Sequence, residues 1–116
     1  MSANTPQTLF EKLWRQHLVK ELPGGVALLA IDRVFLHERT GSIALKSLRE
    51  AGRAIVDPSR VFCTMDHIVD TLPGRGDDTQ MPGGKAFIIE TREAARAAGI
   101  HLFDVRDPDQ GIVHVI

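Results

Sequence analysis

Three stretches of the chain carry hydrophobic residues at intervals of three and four, which is the spacing of one face of an α-helix. The predicted helices span about 8–21, 42–51 and 85–98. A glycine comes soon after each of them, and glycine readily adopts the left-handed backbone that ends a helix. These glycines are Gly24, Gly52 and Gly99.

Short apolar runs alternate with the helices and predict β-strands, at about 26–31, 60–65, 100–105 and 112–116. The run of 26–31 is apolar without interruption, a pattern typical of a buried strand in a parallel sheet. Strands that alternate with helices indicate an α/β fold with at least partly parallel strands. A chain of 116 residues has the size of one domain, and we expect a single domain over 1–116.

The segment of 72–84 is rich in proline and glycine and predicts a long connection. Connections of this length are uncommon in a small domain, and those that occur are usually functional or mobile. We therefore expect a mobile loop over about 72–84.

The last predicted strand ends at Ile116 without a polar tail. Two explanations stay open at this point. The run is the edge strand of a complete protein, or the chain is a truncated piece of a longer one, since an apolar strand without its neighbour exposes an unpaired edge.

Composition narrows the class of protein. Lys and Arg number 14 against 15 Asp and Glu, and this balance argues against a nucleic-acid-binding protein. No apolar stretch approaches the roughly 20 residues of a membrane span. The single cysteine, Cys63, cannot form an internal disulfide and cannot alone hold a zinc ion or an iron–sulfur cluster. We expect a soluble, cytoplasmic protein without nucleic-acid or membrane partners.

Asp66 and His67 are the strongest candidates for chemistry. They follow the predicted strand of 60–65, and ligands of open α/β sheets bind beyond the carboxyl ends of strands. A carboxylate beside an imidazole orients the ring and suits it to general acid–base catalysis. The alternative is a turn capped by Asp66 and followed by a surface histidine.

Three further residues are weaker candidates. His37 is either a site residue or a half-buried histidine of an amphipathic strand, and Arg33 either binds a substrate carboxylate or pairs with Asp32. His114 lies between β-branched residues, which predicts a buried ring with a hydrogen-bond partner. No two histidines have the i,i+4 spacing of a metal site, so none is predicted.

Four segments, in order and at similar spacing, resemble the beginning of the aconitase superfamily, within it the large subunits of 3-isopropylmalate dehydratases and close relatives such as 2-methylmalate dehydratases. The segments are 8–14 (TLFEKLW), 31–33 with 36–38 (IDR and LHE), 64–67 (TMDH) and 109–116 (DQGIVHVI). The resemblance covers nearly the whole chain. It implies the N-terminal, truncated part of a three-layer α/β/α domain and favours a fragment over a complete protein.

The resemblance also implies a function. Superfamily members are hydro-lyases that dehydrate or hydrate a malate-type diacid, such as 3-isopropylmalate in leucine biosynthesis. The positions that match the family's catalytic residues are Asp66, His67 and His114, and the Asp–His pair protonates the departing hydroxyl. His37 matches a substrate-binding position.

The family's [4Fe-4S] cluster has three cysteine ligands that are absent from this chain, and Cys63 matches none of them. We therefore expect the chain alone to bind no cluster and to be inactive. Its expected partners are the diacid, the rest of the large subunit and a small subunit. The alternative is a non-catalytic remnant or a split-subunit interaction module.

Overall fold

Helix α1 (Leu9–His17) is the first element in the computed structural model, which describes residues 5–116. The first four residues of the predicted domain over 1–116 lie outside this range. A capping box begins the helix: Thr8 Oγ1 accepts from the Glu11 amide at 3.2 Å, and the Glu11 carboxylate accepts from the Thr8 amide at 2.7 Å. The structure forms two units, which meet in the sequence between Asp32 and Arg33.

The rest of the first unit is a β-hairpin. Strand β1 (Leu18–Leu22) pairs antiparallel with β2 (Val26–Leu29) across the turn of 23–25. The turn's two glycines have φ of +79° and +76°, and such backbone suits tight hairpins. The prediction of one helix to residue 21 is therefore wrong. The strand predicted at 26–31 forms as β2, but the prediction that it is buried in a parallel sheet is wrong, because β2 is antiparallel and none of its residues is buried.

The second unit contains a three-stranded parallel sheet, which confirms the α/β class. Its strands are β3 (Val34–His37), β4 (Val61–Thr64) and β5 (His101–Phe103), in that order across the sheet. Helix α2 (Gly41–Glu50) connects the first two strands, and α3 (Gly84–Ala98) connects the last two. The strand at 60–65 and the helices at 42–51 and 85–98 are confirmed, whereas β3 was predicted only as the alternative interpretation of His37, an amphipathic strand.

The two helices pack on the same face of this sheet. Cys63 of β4 is fully buried there, in a cluster with Leu45 of α2 and Ala95 of α3. A second cluster extends past the strand ends, where Met65 packs with Ile88. Because successive strand residues point to opposite faces, the residues beside Cys63 point away from the helices.

The opposite face of the sheet carries aromatic rings. Phe62 stacks on Phe35 with 5.4 Å between ring centroids, and His101 lies at 5.8 Å from Phe62 and 4.4 Å from Phe103. Phe35 is 43% exposed. The residues from 33 to 116 thus provide the sheet and one helical layer of the predicted three-layer domain.

Contacts fasten the segment of 72–84 at several points. Thr79 donates to the carbonyl of Ile68 at 2.7 Å, and Arg92 of α3 forms paired hydrogen bonds with Asp77 at 2.7 and 2.9 Å. The mobility of this loop stays a prediction.

The chain's last residues form a turn, so the predicted strand at 112–116 is wrong. The Val115 amide donates to the carbonyl of Ile112 at 2.8 Å. The segment is rich in β-branched residues, but no strand among the described residues lies beside it to form a pair. No helix within residues 5–116 has the length and apolar character needed to cross a lipid bilayer.

Candidate active site

The carboxyl ends of β3 and β4 bring four polar side chains together: His37, Glu38, Asp66 and His67. One nitrogen or oxygen atom from each lies within 4.8 Å of those of the others. The strands are adjacent, with His37 in register with Thr64, so the residues that follow them converge at one edge of the sheet. This is the edge at which parallel sheets bind ligands.

Asp66 and His67 are in direct contact, with 2.5 Å between Asp66 Oδ1 and His67 Nδ1. The other Asp66 oxygen accepts from the Val113 amide at 2.8 Å. The carboxylate side chain is only 1% exposed, whereas the His67 side chain is 46% exposed. A buried carboxylate therefore holds one ring nitrogen and leaves the rest of the imidazole accessible.

The environment keeps Asp66 ionised. Burial favours a higher pKa, but the hydrogen bonds from His67 and from the Val113 amide outweigh it, and the pKa of Asp66 is lowered. The positive charge that His37 and His67 carry when protonated acts in the same direction. An ionised Asp66 accepts the hydrogen of His67 Nδ1, which leaves Nε2 to exchange a proton with a ligand.

His37 lies directly against this pair. Its ring stacks on that of His67, with 4.0 Å between centroids and 16° between planes. The Nδ1 atom of His37 is buried and has no hydrogen-bond partner among residues 5–116. Buried polar atoms nearly always find a partner, so this nitrogen is a candidate contact for a bound molecule.

Glu38 is the site residue that the sequence reasoning missed. It is fully buried, and its carboxylate accepts from the amides of Asp66, at 2.9 Å, and Ile68. Its own carbonyl accepts from Thr91 Oγ1 at 3.1 Å. The available signal was an acidic residue placed directly after the apolar strand that ends at His37.

The C-terminal segment completes the site from the other side. Thr64 Oγ1 donates to the Gly111 carbonyl at 2.7 Å, and the Gln110 side chain donates to the Met65 carbonyl while accepting from Arg75. These bonds place the Val113 amide against Asp66. The sequence offered no local sign of this arrangement, because the partners lie more than 40 positions apart.

The prediction of a buried, hydrogen-bonded His114 is wrong. The residue is exposed in the turn of 113–115, and its ring forms no hydrogen bond with any other residue from 5 to 116. The strand that would have buried it does not form. Its backbone nevertheless follows directly on Val113, which binds Asp66.

Arg33 is not brought to the cluster. It precedes β3, and His37 is at the far end of that strand, about 13 Å away for four steps of roughly 3.3 Å. Asp32, its predicted alternative partner, forms an ion pair with His17 at 3.2 Å.

The described residues do not fit an iron–sulfur cluster. Such clusters are held by thiolates, and the only cysteine is Cys63. Its side chain lies in the helix-facing core, and burial, followed by the nearby charges of Glu38 and Asp66, raises the pKa of its thiol to about 12. The carboxylates of Glu38 and Asp66 are already engaged by backbone amides.

Comparisons with known proteins give a consistent result. The family model "Aconitase family (aconitate hydratase)" matches residues 11–116. The chain is 43% identical over 111 residues to 3-isopropylmalate dehydratase large subunit 2 of Salmonella typhimurium (strain LT2). That match covers 95% of this chain and 24% of the relative, so the chain spans about a quarter of the relative's length. No solved structure matches the chain.

Proposed function

Because the chain belongs to the aconitase family, we propose that it contributes one wall of the active site of a hydro-lyase acting on a malate-type diacid. The proposed substrate is 3-isopropylmalate or a close analogue such as a 2-methylmalate, and the proposed process is leucine biosynthesis. One observation carries the proposal: the buried Asp66 carboxylate lies 2.5 Å from the Nδ1 of the accessible His67 ring.

Dehydration breaks a carbon–oxygen bond, and the departing hydroxyl must gain a proton to leave as water. Protonated His67 donates this proton from Nε2, while Asp66 accepts from Nδ1 and stabilises the imidazolium. In the hydration direction, Nε2 takes a proton from the attacking water. The proton on the neighbouring carbon goes to a base outside this chain.

The other predicted residues have secondary roles in this proposal. The buried nitrogen of His37 binds an oxygen of the diacid. His114 is kept as a third catalytic candidate because it adjoins Val113, whose amide binds Asp66. Arg33 is kept as a candidate for binding a substrate carboxylate, although it lies before the first residue of β3 and His37 is the last residue of that strand.

The proposed partners follow from the missing ligands. An iron–sulfur cluster requires thiolates that the described residues do not provide, so we propose that the rest of a large subunit holds it and that a small subunit completes the enzyme. The 116 residues alone are then inactive. The proposed compartment is the cytoplasm, whose reducing conditions suit a chain with one free thiol.

The decisive experiment measures dehydration of 3-isopropylmalate. The 116-residue chain, treated with iron and sulfide, is expected to show no turnover. The assembled enzyme is expected to lose about 100- to 10,000-fold in kcat on the change His67→Ala, as general acids typically contribute that much. His101→Ala, on the exposed sheet face, is the matched control. Unreduced turnover of the His67 variant would remove that residue from the mechanism.

A second candidate function rests on the aromatic face of the sheet. Phe35, 43% exposed, and Phe62 form an apolar surface that suits a non-catalytic interaction module. Under this alternative the assembled protein would have no dehydratase activity, and Phe35→Ser would weaken association with its partner. Active enzyme in the assay above would contradict it.

A further inference from the structure

We propose that Glu38 is a positioning residue that holds the Asp66–His67 turn in its reactive geometry. The inference rests on the proposed function, since it assigns a task to Glu38 within the same site. It differs from the roles above because Glu38 is enclosed by protein and acts through the backbone of its neighbours.

The burial of Glu38 calls for an explanation. The residue is 0% exposed, and among residues 5–116 its carboxylate forms no ion pair. Transfer of a carboxylate from water to the protein interior costs roughly several kcal/mol. An apolar side chain would fill the same space without this desolvation cost. A carboxylate buried at this cost is expected to form hydrogen bonds that an apolar side chain cannot form.

Two hydrogen bonds from backbone amides to the Glu38 carboxylate meet this expectation. One oxygen of Glu38 accepts from the Asp66 amide and the other from the Ile68 amide, so the carboxylate spans the residue between them, which is His67. The segment from Asp66 to Asp70 is neither helix nor strand, and side chains hold its backbone: Glu38 accepts from two of its amides, and Thr79 donates to the Ile68 carbonyl. Glu38 is the one of these groups that binds the backbone on both sides of His67, so the orientation of that ring depends on this clamp together with the Asp66 side chain.

The clamp also couples two strands. Glu38 directly follows β3, whereas its amide partners follow β4. His37, its neighbour in sequence, stacks on the His67 ring. Both rings are therefore positioned through the same short stretch at the end of β3, and a shift of the Glu38 carboxylate would move the His67 ring and its stacking partner together.

Three variants separate positioning from plain stability. Glu38→Gln keeps the shape but turns an NH2 group toward one of the two amide donors. Glu38→Asp keeps the charge on a shorter side chain. Thr91→Val is the matched control, because it removes the 3.1 Å hydrogen bond to the Glu38 carbonyl and leaves the carboxylate in place.

The first measurement is amide hydrogen exchange in the intact protein, read by mass spectrometry on a peptide covering 65–69. Slow exchange of the Asp66 and Ile68 amides is expected in the unchanged protein, and at least tenfold faster exchange in Glu38→Gln, with peptides from α3 unaffected. Fast exchange of these amides in the unchanged protein overturns the inference, and this test holds even where Glu38→Gln fails to fold.

The second measurement is kinetic. Glu38→Gln is expected to lower kcat about 10- to 100-fold with KM within about twofold, as is typical when a group that orients a reacting residue is removed. Glu38→Asp is expected to recover part of that loss, and Thr91→Val to keep kcat. A folded Glu38→Gln enzyme with unchanged exchange and kcat overturns the inference. An unchanged protein without dehydratase activity overturns the proposed function instead, while the exchange experiment still tests the clamp.

Discussion

The imidazole rings of His37 and His67 stack with 4.0 Å between their centroids. Their strands are parallel neighbours, and the pairing places the end of one beside the end of the other. The stack leaves the Nδ1 atom of His37 buried and without a hydrogen-bond partner in residues 5–116. A ring at the end of β3 and a ring in the turn after β4 thus form one surface, and the protein itself leaves the Nδ1 atom of His37 unused.

Replacing His37 by Phe tests the use of this nitrogen. The ring and its stacking are kept, while a buried unpaired polar atom is removed, which stabilises a protein by about 1 kcal/mol or leaves it unchanged. We expect an equal or higher urea midpoint together with a several-fold higher KM for the diacid. His101→Phe on the aromatic face is the control. An unchanged KM would show that His37 does not contact substrate.

The Cys63 thiol is expected to be inert in the folded protein. Burial, with the nearby carboxylates of Glu38 and Asp66, raises its pKa to about 12, so almost no thiolate exists at pH 8. A disulfide reagent should label it only after addition of denaturant. Because this is the single cysteine, Cys63→Ala should abolish the signal altogether. Rapid labelling of the native protein would contradict the observed packing.

Gly84 is expected to tolerate no larger residue. A Cβ atom there would lie 2.6 Å from Ile68 Cγ2 and 2.7 Å from Thr79 Cγ2. Gly84→Ala should lower the free energy of unfolding by about 1–3 kcal/mol, as for other overpacked sites. Gly76→Ala is the control, since its nearest neighbour is the flexible Arg106 guanidinium at 3.3 Å. Equal urea midpoints for the two variants would refute this prediction.

Arg92 is expected to stabilise the second unit in a pH-dependent way. It forms hydrogen bonds with both Asp77 and Asp104, and these bonds lower the pKa of each carboxyl group. The stability gained is present above the unfolded pKa of 3.8 and is lost as the pH falls through the lower folded values. Arg92→Met should cost about 1–2 kcal/mol at pH 7, since the carboxylates remain about one-third exposed.

Denaturant titrations at pH 7 and at pH 3 check the Arg92 prediction. The variant should differ less from the unchanged protein at pH 3 than at pH 7. Lys85→Met, which removes a far more exposed ion pair with Asp78, is expected to leave the stability almost unchanged at both pH values. An Arg92 effect that is the same at both pH values would exclude the electrostatic explanation.

The first unit is expected to weaken as the pH rises. The Leu13 carbonyl and the Asp32 carboxylate bind the His17 ring and raise its pKa above 6.5. This contribution is complete below pH 6.5 and is lost as the pH rises through the higher folded value. The fluorescence of the single tryptophan, Trp14, reports on the same helix. His17→Gln should remove the pH dependence between pH 6 and 8, and a variant that kept it would contradict this assignment.

The elements that could be predicted from the sequence are those whose pattern of apolar residues and end residues lies within the element itself. β4 lies in an apolar run that ends just before Asp66, and α3 has a sustained helical period followed by Gly99 with φ of +67°. The hairpin was missed because Leu18 and Leu22 fit both a helical and an alternating pattern, and only pairing across the turn decides between them.

The candidate site was predicted only in part, because only some of its contacts join residues that are neighbours in the sequence. Asp66 and His67 are neighbours in the chain, so their contact needs only a turn. Glu38 could not be predicted as a buried residue, because its partners are backbone amides 28 and 30 positions away. His114 was misjudged because flanking β-branched residues bury a histidine only where another strand lies beside it.

Strand β4 leads from the fully enclosed thiol of Cys63 through Thr64 and Met65, both inaccessible to solvent, directly to Asp66. Of these four consecutive residues, the first three pack in the interior and the fourth binds His67. A substitution at any of them would disturb the core and the candidate site together, so selection has little freedom to alter them. A lineage that changes its substrate would have to vary positions outside this stretch instead, and sequence divergence among homologues is accordingly expected to be lowest over residues 63–66.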